Sequence, residues 1–143
     1  MNLSDQDKID LLSHCRVIAV IGLSPKENRP SHRVAKHLQE FSYTIVPVRP
    51  GVPIILGEPV YKSIADIPFD VDLVNVFRAS EYVPKIVEEC IQCGIKAIWL
   101  QEGVIHEESA KIAENAGITV IMDQCIYKEI VRLGISLVDT EQK

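Results

Sequence analysis

The sequence predicts the α/β class: a doubly wound, five-stranded parallel sheet with helices on both faces. Two patterns carry this. Short apolar runs alternate with amphipathic segments along the whole chain, the order that builds strand–helix–strand crossovers. The runs are also continuously apolar rather than alternating, as strands buried on both faces must be.

The elements follow in order. Ser4 with Asp7 forms a helix-capping pattern that opens a short helix with Ile9 and Leu12 on one face. The first strand is Val17 to Ile21. A helix from about Ser31 to Phe41 places Val34, Ala35, Leu38 and Phe41 on one stripe. The second strand, Tyr43 to Val48, ends at Arg49-Pro50-Gly51, and a Pro/Gly-rich loop runs on to about Tyr61. Ser63 to Ile67 is a short helical turn, and Val71 to Val76 is the third strand. The next helix starts near Ser80, with Pro84 in its first turn, where a missing N–H is tolerated, and Gly94 at its stop. Ala97 to Leu100 is the fourth strand. His106 to Ala116 is a helix with Glu107 and Glu108 at the positive end of its dipole. Ile118 to Met122 is the fifth strand, and Ile126 to Leu133 a last helix stopped by Gly134. The tail Asp139 to Lys143 is polar and reads as frayed.

Right-handed crossovers leave the doubly wound strand orders. The nucleotide-binding, Rossmann-like order 3-2-1-4-5 is the expected one, with its switch point between the first and fourth strands. It would set Gly22 and its loop opposite Gln101-Glu102-Gly103. No repeat, linker or second unit interrupts the pattern, so residues 1–143 read as one domain with a core of about 15–134.

Composition narrows the function. The 143 residues are 47% hydrophobic and carry a net charge of −5, which speaks against nucleic acid or an acidic membrane as the main partner. The polar, acidic N-terminus does not read as a secretion signal, and no apolar run has bilayer length, so the chain reads as cytoplasmic. Cys15, Cys90, Cys93 and Cys125 then read as free thiols. Cys90 and Cys93 have C-x-x-C spacing but fall late in a helix, away from the N-terminal position that activates a redox pair. No cysteine or histidine set has zinc spacing, and no nucleophile–base–orienter set is visible, so neither a metal site nor catalytic residues are assigned.

The stretch from Val17 to Leu38 carries most of the functional information. A buried strand leads through Gly22-Leu23-Ser24 into a polar loop and then a helix. Unpaired amides at that helix start form a ready anion site, and Lys26 and Arg29 add positive charge to the loop. The ligand this suits is the pyrophosphate of a nucleotide cofactor. A dinucleotide fingerprint is incomplete, because only the first glycine of G-x-G-x-x-G is present. The acid that holds an NAD ribose is replaced by Arg49. An arginine there suits an extra ribose phosphate, which NADP and coenzyme A both have, and these residues leave the two open. No Walker motif is present, and the acids of a receiver domain are missing.

Several blocks occur together: Gly22-Leu-Ser-Pro with Arg29-Pro-Ser31, Val46-Pro-Val-Arg-Pro50, Leu56-Gly-Glu-Pro-Val-Tyr61, Val76-Phe-Arg78, Trp99-Leu-Gln-Glu-Gly-Val104 and Met122-Asp-Gln-Cys125. In this order the chain resembles the small stand-alone CoA-binding proteins of bacteria and archaea, which are similar to the CoA-binding domain of the succinyl-CoA synthetase alpha subunit. The resemblance runs from about Val17 to Gly134 and implies coenzyme A or an acyl-CoA as ligand. By that likeness Gly22, Leu23, Ser24, Arg29 and Ser31 hold the pyrophosphate. Val48, Arg49 and Pro50 flank the adenosine 3′-phosphate. Phe77, Arg78 and Ala79 wall the adenine or ribose, and Gln101, Glu102 and Gly103 face the pantetheine arm. Three positions depart from the family pattern: Arg49 replaces an Asn or Ser, Gln124 an arginine, and His106 an Asn.

Plainer roles stand beside these. Arg29 pairs with Glu27 on a bland reading, and Arg49 merely solvates a loop tip. Trp99 reads as core, His37 as a surface residue and His106 as a helix cap. His32 lies close enough to the loop to touch a phosphate, and Cys125 lies where a mixed disulfide with the CoA thiol is conceivable. Two other functions fit the same fold: an NADP-binding reductase or redox-sensor domain, and a protein interaction module with a vestigial pocket.

Overall fold

A computed structural model describes residues 3–137; the expected frayed tail from Asp139 lies outside them. The chain forms α1 (Asp5–His14), β1 (Val17–Ile21), α2 (Pro30–Glu40), β2 (Thr44–Val48), β3 (Ile54–Ile55), β4 (Glu58–Pro59), β5 (Leu73–Val76), α3 (Val83–Gln92), β6 (Ala97–Leu100), α4 (Glu107–Asn115), β7 (Thr119–Ile121) and α5 (Ile126–Leu133). The local signals act as expected. Ser4 and Asp7 form a reciprocal capping box at α1. His106 caps α4, its Nδ1 accepting the Ser109 N–H at 3.2 Å. Gly134 closes α5 in the left-handed conformation.

β2, β1, β5, β6 and β7 form one parallel sheet in that order. Its strands send alternate side chains into two apolar layers, as continuous apolar runs require. Ile18, Val20, Leu73 and Trp99 pack beneath α1, α2 and α5. Ala19, Ile21, Val74, Val76 and Leu100 pack beneath α3 and α4.

The strand order corrects one expectation. Counting the five strands along the chain, the order is 2-1-3-4-5, not 3-2-1-4-5. β5 lies beside β1, so the order reverses between the first and third strands rather than the first and fourth. The cause lies at the outer edge of β2. Pro47 sits within that strand, paired with Val20 of β1, and offers no N–H to an outer neighbour. Tyr61 takes the place instead, in a single parallel bridge with Val48. It donates its N–H to the Pro47 carbonyl (3.0 Å) and accepts the Arg49 N–H (2.9 Å). The edge is thereby covered by one residue, and the chain returns across the α3 face to start β5 on the far side of β1.

The expected loop before Tyr61 also contains a small hairpin. β3 and β4 pair antiparallel around Leu56 and Gly57. Both turn residues have positive φ, +53° and +78°, the pattern of a type I′ turn.

Candidate functional site

The C-terminal ends of β1, β2 and β5 meet at Gly22. Its N–H donates to the Val48 carbonyl at 3.0 Å, and the Phe77 N–H donates to the Ile21 carbonyl at 2.8 Å. Gly22 has φ +84°, and a Cβ there would lie 2.5 Å from the Phe77 carbonyl oxygen and 3.0 Å from Cδ of Arg78. Only glycine permits that approach. Phe77-Arg78 therefore crosses directly over the turn, and Arg49 follows the residue that accepts the Gly22 N–H. The opening turn and the arginine beyond β2 lie on one edge, side by side. Gln101-Glu102-Gly103 do not face Gly22: β5 intervenes.

The loop after Gly22 is ordered from within. The Ser24 N–H donates to Oγ of Ser31 at 3.0 Å, and Oγ of Ser24 accepts the Lys26 N–H at 3.1 Å. Leu23 is 0% exposed and packs in the core under α2, so it offers the site only its backbone. Arg29 is the N-cap of α2 and gives no side-chain bond to the first turn, whose first residue is Pro30. Lys26 and Arg29 are exposed, and neither pairs with Glu27 among the described residues.

Two clefts open along this edge. One of about 480 Å3, on the α3 side, is lined by Val48, Arg49 and Pro50 together with Lys62, Arg78, Tyr82 and Lys85. The other, about 610 Å3, on the α2 and α5 side, is lined by Phe77, Arg78, Gln101, Glu102, Cys125 and Tyr127. Arg78 borders both, and its guanidinium lies 4.1 Å above the Tyr82 ring. A larger hollow of about 670 Å3 lies at the opposite edge, between residues 64–72 and 93–96. It contains none of the expected site residues.

The remaining expected residues divide by what already occupies them. Gln101 is 5% exposed, and its Oε1 accepts from Asn75 Nδ2 (3.1 Å) and from the Ile126 N–H at the start of α5 (3.0 Å). It fixes the cleft wall. Glu102 pairs with Lys128 at 3.1 Å. The Gly103 N–H is held by Asp123 Oδ1 at 2.7 Å, and neither Gly103 nor Ala79 lines either cleft. Gln124, at the family's arginine position, accepts from Lys8 Nζ at 2.8 Å, which ties α1 to the end of β7. The cysteines are free: Cys15, Cys90 and Cys125 are buried and Cys93 exposed. Sequence reasoning did not single out Lys62, Tyr82 or Lys85. Lys62 directly follows the Leu56–Tyr61 block, Tyr82 precedes α3 and Lys85 lies in its first turn; none has a motif of its own.

The family pattern described as a CoA binding domain matches residues 16–130. The chain belongs to that family. This CoA-binding domain is 38% identical over 125 residues to the Bacillus subtilis protein called Uncharacterized protein YneT, covering 87% of this chain and 93% of that one. It is 33% identical over 128 residues to Acetate--CoA ligase [ADP-forming] I of Archaeoglobus fulgidus, covering 82% of this chain but 19% of the ligase. The family thus occurs both as a small protein and as a fraction of a larger ligase. A solved structure of a hypothetical protein from Pyrococcus horikoshii superimposes with a TM-score of 0.88 at 34% identity, over 92% of each chain. No helix among the described residues of the CoA-binding domain is long and apolar enough to cross a membrane.

Proposed function

We propose that this chain acts as one unit that binds coenzyme A, or an acyl-CoA, along the C-terminal edge of its sheet and performs no chemistry of its own. One observation carries the reading: the Gly22 turn and Arg49 are neighbours, joined through the 3.0 Å bond from the Gly22 N–H to the Val48 carbonyl. In this arrangement the loop from Gly22 to Ser31 receives the pyrophosphate at the start of α2. Ser24, Lys26 and Arg29 are its polar and charged members. The 3′-phosphate end lies in the α3-side cleft beside Arg49. The pantetheine arm passes Arg78 into the other cleft, along Phe77 and Gln101.

The ligase relative is about five times longer than the stretch it shares with this chain, so ligase chemistry does not accompany the likeness. A cytoplasmic setting goes with a CoA ligand, with free thiols and with a net charge of −5.

Calorimetry with CoA, dephospho-CoA, NADPH and NAD tests the proposal. CoA is expected to bind most tightly, dephospho-CoA more weakly, and NAD not at all. Binding of NADPH without CoA would give the pocket to the reductase reading. Silence with every nucleotide would leave an interaction module with a vestigial pocket.

A further inference from the structure

We infer that Lys62 and Lys85 complete, with Arg49 and Arg78, a four-cation cleft that selects the 3′-phosphate of the ligand. The inference rests on the CoA reading and extends it to two residues outside the expected site.

The chain carries a net charge of −5, so carboxylates are plentiful. Among the described residues Lys8, Lys128 and Arg132 each find one, while other exposed cations such as Lys26, Arg29 and Lys36 do not, so it is the gathering of four in one hollow that sets the α3-side cleft apart. The four cations lining the α3-side cleft pair with none among the described residues. The side chain of Arg49 reaches only the Pro50 carbonyl, at 3.2 Å, and Arg78 lies over Tyr82. Glu88 and Glu89 line the same cleft, and Glu89 Oε2 already accepts the Ala65 N–H at 3.3 Å. Four unpaired positive charges against two carboxylates leave the cleft positive by two. Like charges gathered around one hollow repel each other unless an anion joins them.

The charge suggests which anion. A phosphate monoester carries about −1.5 to −2 at neutral pH, which matches the surplus, whereas the two linkages of a pyrophosphate are served by the loop and helix start on the other side of Gly22. Tyr82, 45% exposed, adds an aromatic face at the same place, suited to the base attached to that ribose. Arginine provides a planar fork and lysine a mobile point charge. Arg49 therefore supplies direction, and Lys62 and Lys85 supply most of the remaining charge.

The test measures CoA, dephospho-CoA and adenosine 3′,5′-bisphosphate by calorimetry against wild type, Lys62→Gln, Lys85→Gln and the double variant. Both lysines are exposed, so the variants should melt with wild type. Each single change is expected to weaken CoA about three- to fivefold and the pair about tenfold, with dephospho-CoA changed less than about twofold. The charge-matched control Lys36→Gln/Lys111→Gln should change neither. If wild type prefers CoA and the double variant keeps that preference, the lysine assignment is overturned while the CoA reading stands. If wild type ignores CoA yet binds the bisphosphate through these lysines, the cleft stands and the CoA reading falls. Equal weakening of CoA and dephospho-CoA also overturns the inference.

Discussion

Replacing Gly22 by alanine tests the geometry on which the site depends, and Gly51 provides the control. The two glycines have nearly the same positive φ, +84° and +82°. An L-residue held there costs about 1–2 kcal/mol, less the roughly 0.4–1 kcal/mol gained by stiffening the unfolded chain. Gly51→Ala has open space around its new Cβ, so its net cost should be about 1 kcal/mol. Gly22→Ala meets the Phe77 carbonyl oxygen at 2.5 Å. That oxygen belongs to a segment fixed by the 2.8 Å bond from the Phe77 N–H to Ile21, so it yields only by straining the β1–β5 junction. Forced overpacking of this kind adds about 1–3 kcal/mol. The total is about 3 kcal/mol, against a domain stability of the order of 5–15 kcal/mol. For a chain of this length that lowers Tm by about 10 °C, against about 3 °C for the control. Thermal melts of both variants, followed by CoA titration below the transition, measure it. Gly22→Ala should also bind CoA at least about tenfold more weakly, since Phe77-Arg78 must move. Equal melting of the two variants would refute the close approach and the placement of Arg78 over the turn.

Three further outcomes follow from other parts of the structure. Gln101→Leu removes the acceptor of the Ile126 N–H and one of the two acceptors of Asn75 Nδ2, which keeps the Trp99 carbonyl, and leaving the buried Ile126 N–H and one amide hydrogen unpaired should cost about 2–3 kcal/mol in urea unfolding; a loss below about 0.5 kcal/mol would show that Gln101 does not hold the start of α5. Hydrogen bonds from Arg132 hold the Glu129 carboxyl at about 2, against the opposing pull of burial and with help from Lys8. A carboxyl so depressed stabilises the fold fully above its unfolded value and loses that contribution as pH falls from about 4.5 toward 2. With Arg132 half exposed, the contribution is about 1–2 kcal/mol after solvent screening, and Glu129→Gln should flatten the acid limb of a stability–pH curve. Burial pushes the Cys15 and Cys90 thiols up to about 12, so at pH 8 a disulfide reagent should react first with exposed Cys93. Saturating CoA should slow any reaction at Cys125 and leave Cys93 unchanged; the reverse pattern would place the ligand elsewhere.

The elements were legible in the sequence because their signals are local. Continuous apolar runs mark β1 and β6 at the expected residues, and Gly134 stops α5 where it should. Strand order is a long-range property: the local pattern leads to 3-2-1-4-5, although one residue points to the order found. Pro47 suits an edge strand, since its missing N–H points away from β1; the order 3-2-1-4-5 would have required it at an inner position. The hairpin at Leu56 and Gly57 was hidden for a different reason. Leucine gives no hint of a positive φ, and its +53° is imposed by the turn rather than chosen by the side chain.

The candidate site is legible as far as it is a backbone feature and illegible where it is a field. Gly22 and the start of α2 follow from chain geometry and could be read in order. Charge sums over space: a chain of net −5 conceals a cleft whose cations come from the end of β2, the segment after Tyr61, the end of β5 and α3. The strand order decides which residue joins the parts. Had the fourth strand lain beside β1, Gln101 would have faced the Gly22 turn with a neutral amide. With β5 there instead, an arginine crosses it, borders both clefts and lies 4.1 Å from the one half-exposed ring lining the cationic side. Any ligand extending from one cleft to the other must pass that guanidinium. On the proposed reading the pantetheine arm passes it, between the diphosphate on the Gly22 loop and the second cleft, so the strand order that brings β5 beside β1 decides what this part of the ligand meets.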